Sequence, residues 1–246
     1  MSELPASSPR HPSTRLLTSL RPAAQRIIRS RWPVRVHGAE GVPEAGPVIL
    51  ASNHVGLIDG PLLAIFAPRP VHALTKEEMF SGRLGRFLDA AGQIPLHRFG
   101  PDPAAIKSCV RVLRDGGVVG IFPEGTRGDG ELHRFHHGAG YLALVTGAPV
   151  VSVTMLGTRA SGAGSSSLPP KGGEIDVVFG TAWQTRPVPW PRTREHVRAT
   201  SALLREHMLS DLARALELTG RSLPGPLPAG QREYDPPTGF VDQGAR

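Results

Sequence analysis

Three short apolar runs constrain this chain more than any other feature. Residues 48–52 (VILAS), 118–122 (VVGIF) and 150–155 (VVSVTM) each have the length of a strand. None approaches the roughly 18 consecutive apolar residues of a membrane-spanning helix. A run without polar alternation belongs to a strand covered on both faces. Between and after these runs, residues 61–66, 83–91, 103–114, 138–146 and 192–218 read as helices, the last long and amphipathic with a charged face. Asp115-Gly116-Gly117 is a helix stop. Shorter strands are expected at 34–37, 71–74, 94–96 and 174–179. Strands alternating with helices predict an α/β domain, a mixed central sheet flanked by helices. A chain of 246 residues can bury a sizeable core without disulfides, and its single cysteine, Cys109, reads as a small apolar core residue on a helix.

The chemistry sits where two of these runs end. The first is followed directly by Asn53-His54-Val55-Gly56-Leu57-Ile58-Asp59. On a continuous helix, residues five apart are about 140° out of phase and do not meet. A His54–Asp59 pair therefore requires a turn between them, which Gly56 permits. Asp59 also precedes Gly60-Pro61, the place for a helix N-cap with proline in the first turn. As a dyad, Asp59 would fix the tautomer of His54 while the other ring nitrogen takes a proton from an attacking hydroxyl. The plain alternative is a structural histidine beside a capping aspartate. The second run delivers Phe122-Pro123-Glu124-Gly125-Thr126-Arg127, turn chemistry that presents a carboxylate, a hydroxyl and a guanidinium together. The planar fork of Arg127 suits phosphate; an ion pair with Glu124 is its plain alternative.

Taken in order, these segments resemble the glycerophospholipid acyltransferase family, which includes the lysophosphatidic acid acyltransferases. Four blocks carry the resemblance over roughly residues 34–179. The first is Asn53-His54 to Asp59. The second, of the form G-x-I-P-x-x-R, is Gly92-Gln93-Ile94-Pro95-Leu96-His97-Arg98. The third is residues 122–127, and the fourth is the apolar strand after Pro149. Lys76-Glu77-Glu78-Met79-Phe80 is similar to the family's lysine-containing segment, in a chain with only three lysines. Gly56, His97 and Ser152 depart from residues common in the family, the last two where acceptor preference is set.

The resemblance implies a glycerol-3-phosphate acyltransferase-like fold and transfer of an acyl group from a thioester to a lysophospholipid hydroxyl. It makes His54 the base and Asp59 its orienting partner. It gives the acceptor's phosphate to Arg98 and Arg127 with help from Lys76, and has Glu124, Gly125 and Thr126 shape the acceptor site. It implies acyl-coenzyme A or acyl carrier protein as donor, and no cofactor or metal. Other acyl chemistry on the same scaffold, a transacylase or a glycolipid acyltransferase, stays open, as does a catalytically silent lipid-binding protein.

Charge adds a partner. Seven arginines and no acid lie between Leu4 and Ala39; outside them the basic and acidic residues balance, so the whole formal charge of +7 sits at one end. Residues 14–33 have helical apolar spacing with arginines in the gaps, interrupted by Pro22, and read as two short basic amphipathic helices. They fit equally a helix packed on the domain or one lying on anionic lipid. Aromatic residues do not interleave with this block, which argues against nucleic acid. No secretory signal pattern opens the chain, so a cytoplasmic protein, peripheral on the inner face of the cell membrane, is expected. Residues 1–13 read as disordered, 34–219 as the catalytic domain and 220–246 as a Pro/Gly-rich tail. His133, His136 and His137 lack a cysteine or nearby carboxylate set that would complete a zinc site.

Overall fold

The computed structural model describes residues 7–9 and 11–231, with the backbone of 241–243. Two basic helices, α1 (Arg15–Ser19) and α2 (Arg21–Arg31), lead into the domain, and Pro22 stands in the first turn of the second, where its missing N–H costs nothing. The domain follows as β1 (Val34–His37), β2 (Val48–Ser52), α3 (Asp59–Phe66), β3 (Val71–Lys76), α4 (Gly82–Ala90), β4 (Ile94–Leu96), α5 (Pro103–Arg114), β5 (Val118–Ile121), β6 (Arg134–His136), α6 (Gly138–Thr146), β7 (Val150–Leu156), β8 (Ile175–Trp183), α7 (Arg194–Thr219) and β9 (Val241–Gln243).

Seven strands form one sheet in the order β1-β8-β7-β2-β5-β3-β4. Every pair is parallel except β7 and β8, so the sheet is mixed, as the alternation of elements predicts. The three apolar runs fall at and beside its centre. β2, β5 and β7 are buried at every position, because helices cover both faces. On one face Leu62, Leu63 and Phe66 of α3 pack with Leu50, Val71 and Val153. On the other, Cys109 and Leu113 of α5, Leu142 of α6 and Leu204 and Met208 of α7 close over Ile49, Val119 and Val150. α5 is anchored by Asp102, whose carboxylate accepts the N–H groups of Ala104 and Ala105 at 3.0 Å.

α2 lies against α3 through polar contacts with the end of that helix. Gln25 Nε2 donates to the Ile65 carbonyl at 2.9 Å, and Arg21 donates to the carbonyls of Ile65 and Ala67. Arg15, Arg26, Arg29 and Arg31 stay exposed, with Leu20 and Ile27 among them.

Several expectations need correction. Residues 7–13 are not loose where they are described: the Ser8 N–H donates to the Lys107 carbonyl at 3.0 Å, and the His11 ring meets His72 edge-on at 5.3 Å. The stretch after Gly220 is held too. Arg221 bonds Asp176 and Glu174, and the Gly225 carbonyl accepts from Arg159 at 2.6 Å. β9 pairs antiparallel with β6, a strand too short for its pattern to show in sequence. The rest of the expected tail, 232–240 and 244–246, and residues 1–6 and 10 lie outside the described residues. Asp59 does not cap α3; it is the helix's first residue, and its carboxylate turns back toward the preceding loop.

Candidate active site

Four adjacent parallel strands, β2, β5, β3 and β4, end on the same edge of the sheet, the edge where open α/β sheets bind ligands. β2 runs into His54, β5 into Glu124, β3 ends on Lys76 and β4 leads to Arg98. Topology therefore gathers residues that are up to 70 positions apart in pairs such as His54 and Glu124.

The turn after β2 is wound around one oxygen. Asp59 Oδ2 accepts from His54 Nδ1 at 2.8 Å, from the Val55 N–H at 2.7 Å and from the Gly56 N–H at 2.8 Å. An ionised carboxylate only accepts, so Nδ1 carries the hydrogen and Nε2 is left as the basic nitrogen. Asp59 is fully buried while the His54 side chain keeps 16% of its surface, the arrangement of a hidden orienting group and a reachable base. Gly56 is required by space: a Cβ there would stand 2.6 Å from the Thr158 carbonyl oxygen. Asn53 clips the start of the turn to β7, accepting the Met155 N–H at 2.7 Å and donating to the Met155 carbonyl at 3.2 Å.

The turn after β5 braces the first one. Glu124 is buried, and its Oε1 accepts the backbone N–H of His54 at 2.8 Å. Burial pushes its carboxyl up to about 8, against the lowering effect of that bond. The Phe122 ring lies against the imidazole at a centroid distance of 4.3 Å. Gly125, at φ 71°, supplies the left-handed residue that reverses the chain. Thr126 is half-buried beside it. Arg127 Nη1 donates to the Ser165 carbonyl at 2.9 Å and so faces the loop 160–173.

A cavity of about 670 Å³ opens beside this edge, between the sheet and the starts of α5, α6 and α7. Its lining is mostly apolar in area, with Leu74, Ile106, Val110, Ile121, Phe122 and Tyr141 among the lining residues. Arg98 and Gly125 line it; Lys76, Thr126 and Arg127 do not, and His54 adjoins it through Phe122. The Arg98 side chain keeps only 13% of its surface, with Nη2 3.5 Å from Glu78, while its Nε and Nη1 are buried without a partner among the described residues.

Sequence reasoning passed over Arg159. It is 3% exposed and donates to the Val55 carbonyl and the Gly128 carbonyl, both at 2.9 Å, tying the two turns together. A signal was present: Gly157-Thr158-Arg159 repeats the Gly-Thr-Arg of 125–127, each after a buried strand. The carboxylates thought missing near His133 are there: Asp129, Glu131 and His133 place ligand atoms within 4.8 Å of one another. This cluster is on the surface, and His133 is already paired with Glu131 at 2.7 Å.

A family model described as Acyltransferase matches residues 33–156, half of the chain. The chain belongs to the acyltransferase family. The matched span contains His54, Asp59, Lys76, Arg98 and the turn 124–127, and it stops before α7. Among curated relatives, the 1-acyl-sn-glycerol-3-phosphate acyltransferase of Bacillus subtilis is 32% identical over 133 residues, 53% of this chain and 66% of that protein. That of Borreliella burgdorferi is 33% identical over 129 residues, 50% of this chain and 51% of the relative. The human beta form is 33% identical over 115 residues, 45% of this chain and 41% of the relative. The chain thus spans less than two thirds of each. The crystal structure of the 1-acyl-sn-glycerophosphate acyltransferase of Thermotoga maritima superposes with a TM-score of 0.59 over 84% of this chain and 80% of that one, at 20% identity, which establishes the acyltransferase fold.

Proposed function

We propose that this acyltransferase-family protein moves a fatty acyl group from an acyl thioester to the hydroxyl of a lysophospholipid. The acceptor is 1-acylglycerol 3-phosphate, and the product is phosphatidic acid for phospholipid synthesis. The observation that carries the reading is the Asp59-oriented His54, held at the strand-end edge beside an apolar cavity that Arg98 enters. The names of the curated relatives support the same substrate.

The chemistry closes on the protein's own groups. His54 Nε2 takes the proton as the acceptor oxygen attacks the thioester carbonyl, and the buried Asp59 carboxylate stabilises the imidazolium that forms. The tetrahedral intermediate then collapses, the carbon–sulfur bond breaks, and the thiolate takes its proton from His54. A thioester is already activated, so neither an acyl-enzyme nor a cofactor is called for. The acceptor's phosphate is assigned to Arg98 and Arg127 with Lys76 nearby. Gly125 and Thr126 shape the turn beside it, and Glu124 acts at one remove through the His54 backbone. The donor is acyl-coenzyme A or acyl carrier protein.

Both substrates carry a long acyl chain and the acceptor is a membrane lipid, which the basic helices supply a means of reaching. Each arginine near an anionic surface contributes about 1 kcal/mol, and four exposed ones on α1 and α2 flank exposed Leu20 and Ile27. Among the described residues no helix is long and apolar enough to cross a membrane. We assign the protein to the inner face of the cell membrane as a peripheral protein.

The test is thiol release from a long-chain acyl-coenzyme A or acyl carrier protein, with and without 1-acylglycerol 3-phosphate. Wild type should release thiol only with acceptor, and His54→Ala should not. Wild-type rates from a folded His54→Ala protein would overturn the assignment of the base.

A further inference from the structure

We propose that Arg192 is a second arginine of the acceptor's phosphate site, paired in function with Arg98. It lies outside the span that the family model matches. The proposal rests on the reading above that the acceptor carries a phosphate.

Arg192 precedes Thr193, the N-cap of α7, and lines the cavity described above. Its Nε and Nη2 are buried and meet no acceptor among the described residues, the same condition as Nε and Nη1 of Arg98. A buried guanidinium edge without an acceptor is expensive, and one such edge in a protein asks for a reason. Two of them in the wall of one cavity point to a common anion.

The rest of the cavity agrees. Arg98, Lys107, Arg192, Arg194 and Arg198 line it against a single acid, Asp102. That carboxylate is already taken by the N–H groups of His97, Ala104 and Ala105. The first turns of α5, α6 and α7, helices of 12, 9 and 26 residues, contribute Pro103, Gly138 and Arg194 to the same wall. Helix starts carry positive partial charge. The cationic set and the apolar lining together describe an acyl chain bearing one compact anionic group.

The acceptor fits this better than the donor does. In 1-acylglycerol 3-phosphate the carbon bearing the phosphate is bonded to the carbon bearing the free hydroxyl. The phosphate must therefore bind near the base, and the cavity adjoins His54 through Phe122. In acyl-coenzyme A a pantetheine arm separates the phosphates from the reacting carbonyl.

The experiment is equilibrium binding by calorimetry to the full chain carrying His54→Ala, so that nothing turns over. The ligands are a short-chain 1-acylglycerol 3-phosphate, the matching 1-acylglycerol without phosphate, and coenzyme A. Arg192→Gln should weaken the phosphate ligand about 10- to 100-fold and leave the phosphate-free ligand within about twofold. Arg192→Lys should recover part of the loss. Since both buried nitrogens of Arg192 lack partners among the described residues, the unfolding temperature should hold in both variants. Unchanged affinity for the phosphate ligand, an equal loss for both glycerol ligands, or a loss confined to coenzyme A would overturn the proposal. If Arg192-dependent binding is found but wild type transfers no acyl group, the transfer reading falls and the phosphate site stands.

Discussion

Asp59→Asn separates position from charge at the base. The substitution keeps one side-chain oxygen that can take the place of Oδ2 and accept from His54 Nδ1, Val55 and Gly56. The turn should survive. What goes is the negative charge beside an imidazole that becomes positive as the hydroxyl is deprotonated. Two unit charges about 4 Å apart at an effective dielectric of about 20 attract by ~4 kcal/mol, which is roughly a thousand-fold in rate. The new amide NH₂ falls where Oδ1 is now, buried and without a partner among the described residues, so folding stability should drop by about 1–3 kcal/mol. The assay is steady-state thiol release at saturating acceptor, with thermal unfolding on the same samples. The expected result is kcat down about a thousand-fold, acceptor KM little changed and a folded protein. Asp59→Ala should behave differently, since it strands the Val55 and Gly56 N–H groups and removes about 2–6 kcal/mol of stability. A folded Asp59→Asn protein with kcat within about threefold of wild type would refute the argument that the carboxylate's charge serves the transition state.

Other perturbations follow the same geometry. Folded Glu124 holds its proton up to about pH 8, whereas the unfolded chain gives it up near its ordinary value of 4.5; the folded state therefore binds more protons between those values, and stability should fall as pH rises through that window. Glu124→Gln, which keeps an acceptor for the His54 N–H, should flatten that slope in denaturant titrations at pH 5 and pH 8; an unaltered slope would rule Glu124 out as its source. Gly56→Ala must push against the Thr158 backbone, so we expect a loss of about 1–3 kcal/mol in unfolding free energy and a larger loss of activity, since the Asp59 turn has to open. Asp176 keeps a carboxyl lowered to about 2, because bonds from Arg35, His37 and Arg221 outweigh its burial; its contribution is present above its ordinary value of 3.8 and lost as pH falls toward 2, and Asp176→Asn should remove that part of the acid transition. Pelleting with anionic vesicles should fall with added salt and fall further when Arg15, Arg26, Arg29 and Arg31 are replaced by Gln; salt-independent pelleting would count against the electrostatic contact.

The parts of the site that were legible in sequence are those set by local spacing. A separation of five positions from His54 to Asp59 forces a turn if the two pair, and the structure has one, with the aspartate inside it rather than capping α3. Runs apolar at every position marked the three central strands because burial on both faces leaves no room for alternation. What stayed hidden depends on contacts far apart in sequence. For Glu124 the local alternative in sequence is an ion pair with Arg127, three residues away. Its carboxylate instead meets the backbone of His54 in the adjoining strand-end turn, a partner fixed by the β2–β5 pairing. Arg192 carries no local pattern that distinguishes it among 25 arginines, and the Gly-Thr-Arg that Arg159 shares with Arg127 does not say what Arg159 holds; both meanings appear only when α7 and the turn after β7 are in place.

The turn after β2 also bears on which parts of the molecule open together. A loop beside a solvent-facing cavity would ordinarily exchange its amide hydrogens within the local fluctuations of the surface. Here the amides of His54, Val55 and Gly56 all end on carboxyl groups that are themselves buried, and Met155 is tied to the side chain of Asn53. Their deuterium uptake should track global unfolding, so that the catalytic turn belongs to the slowest-exchanging unit of the domain.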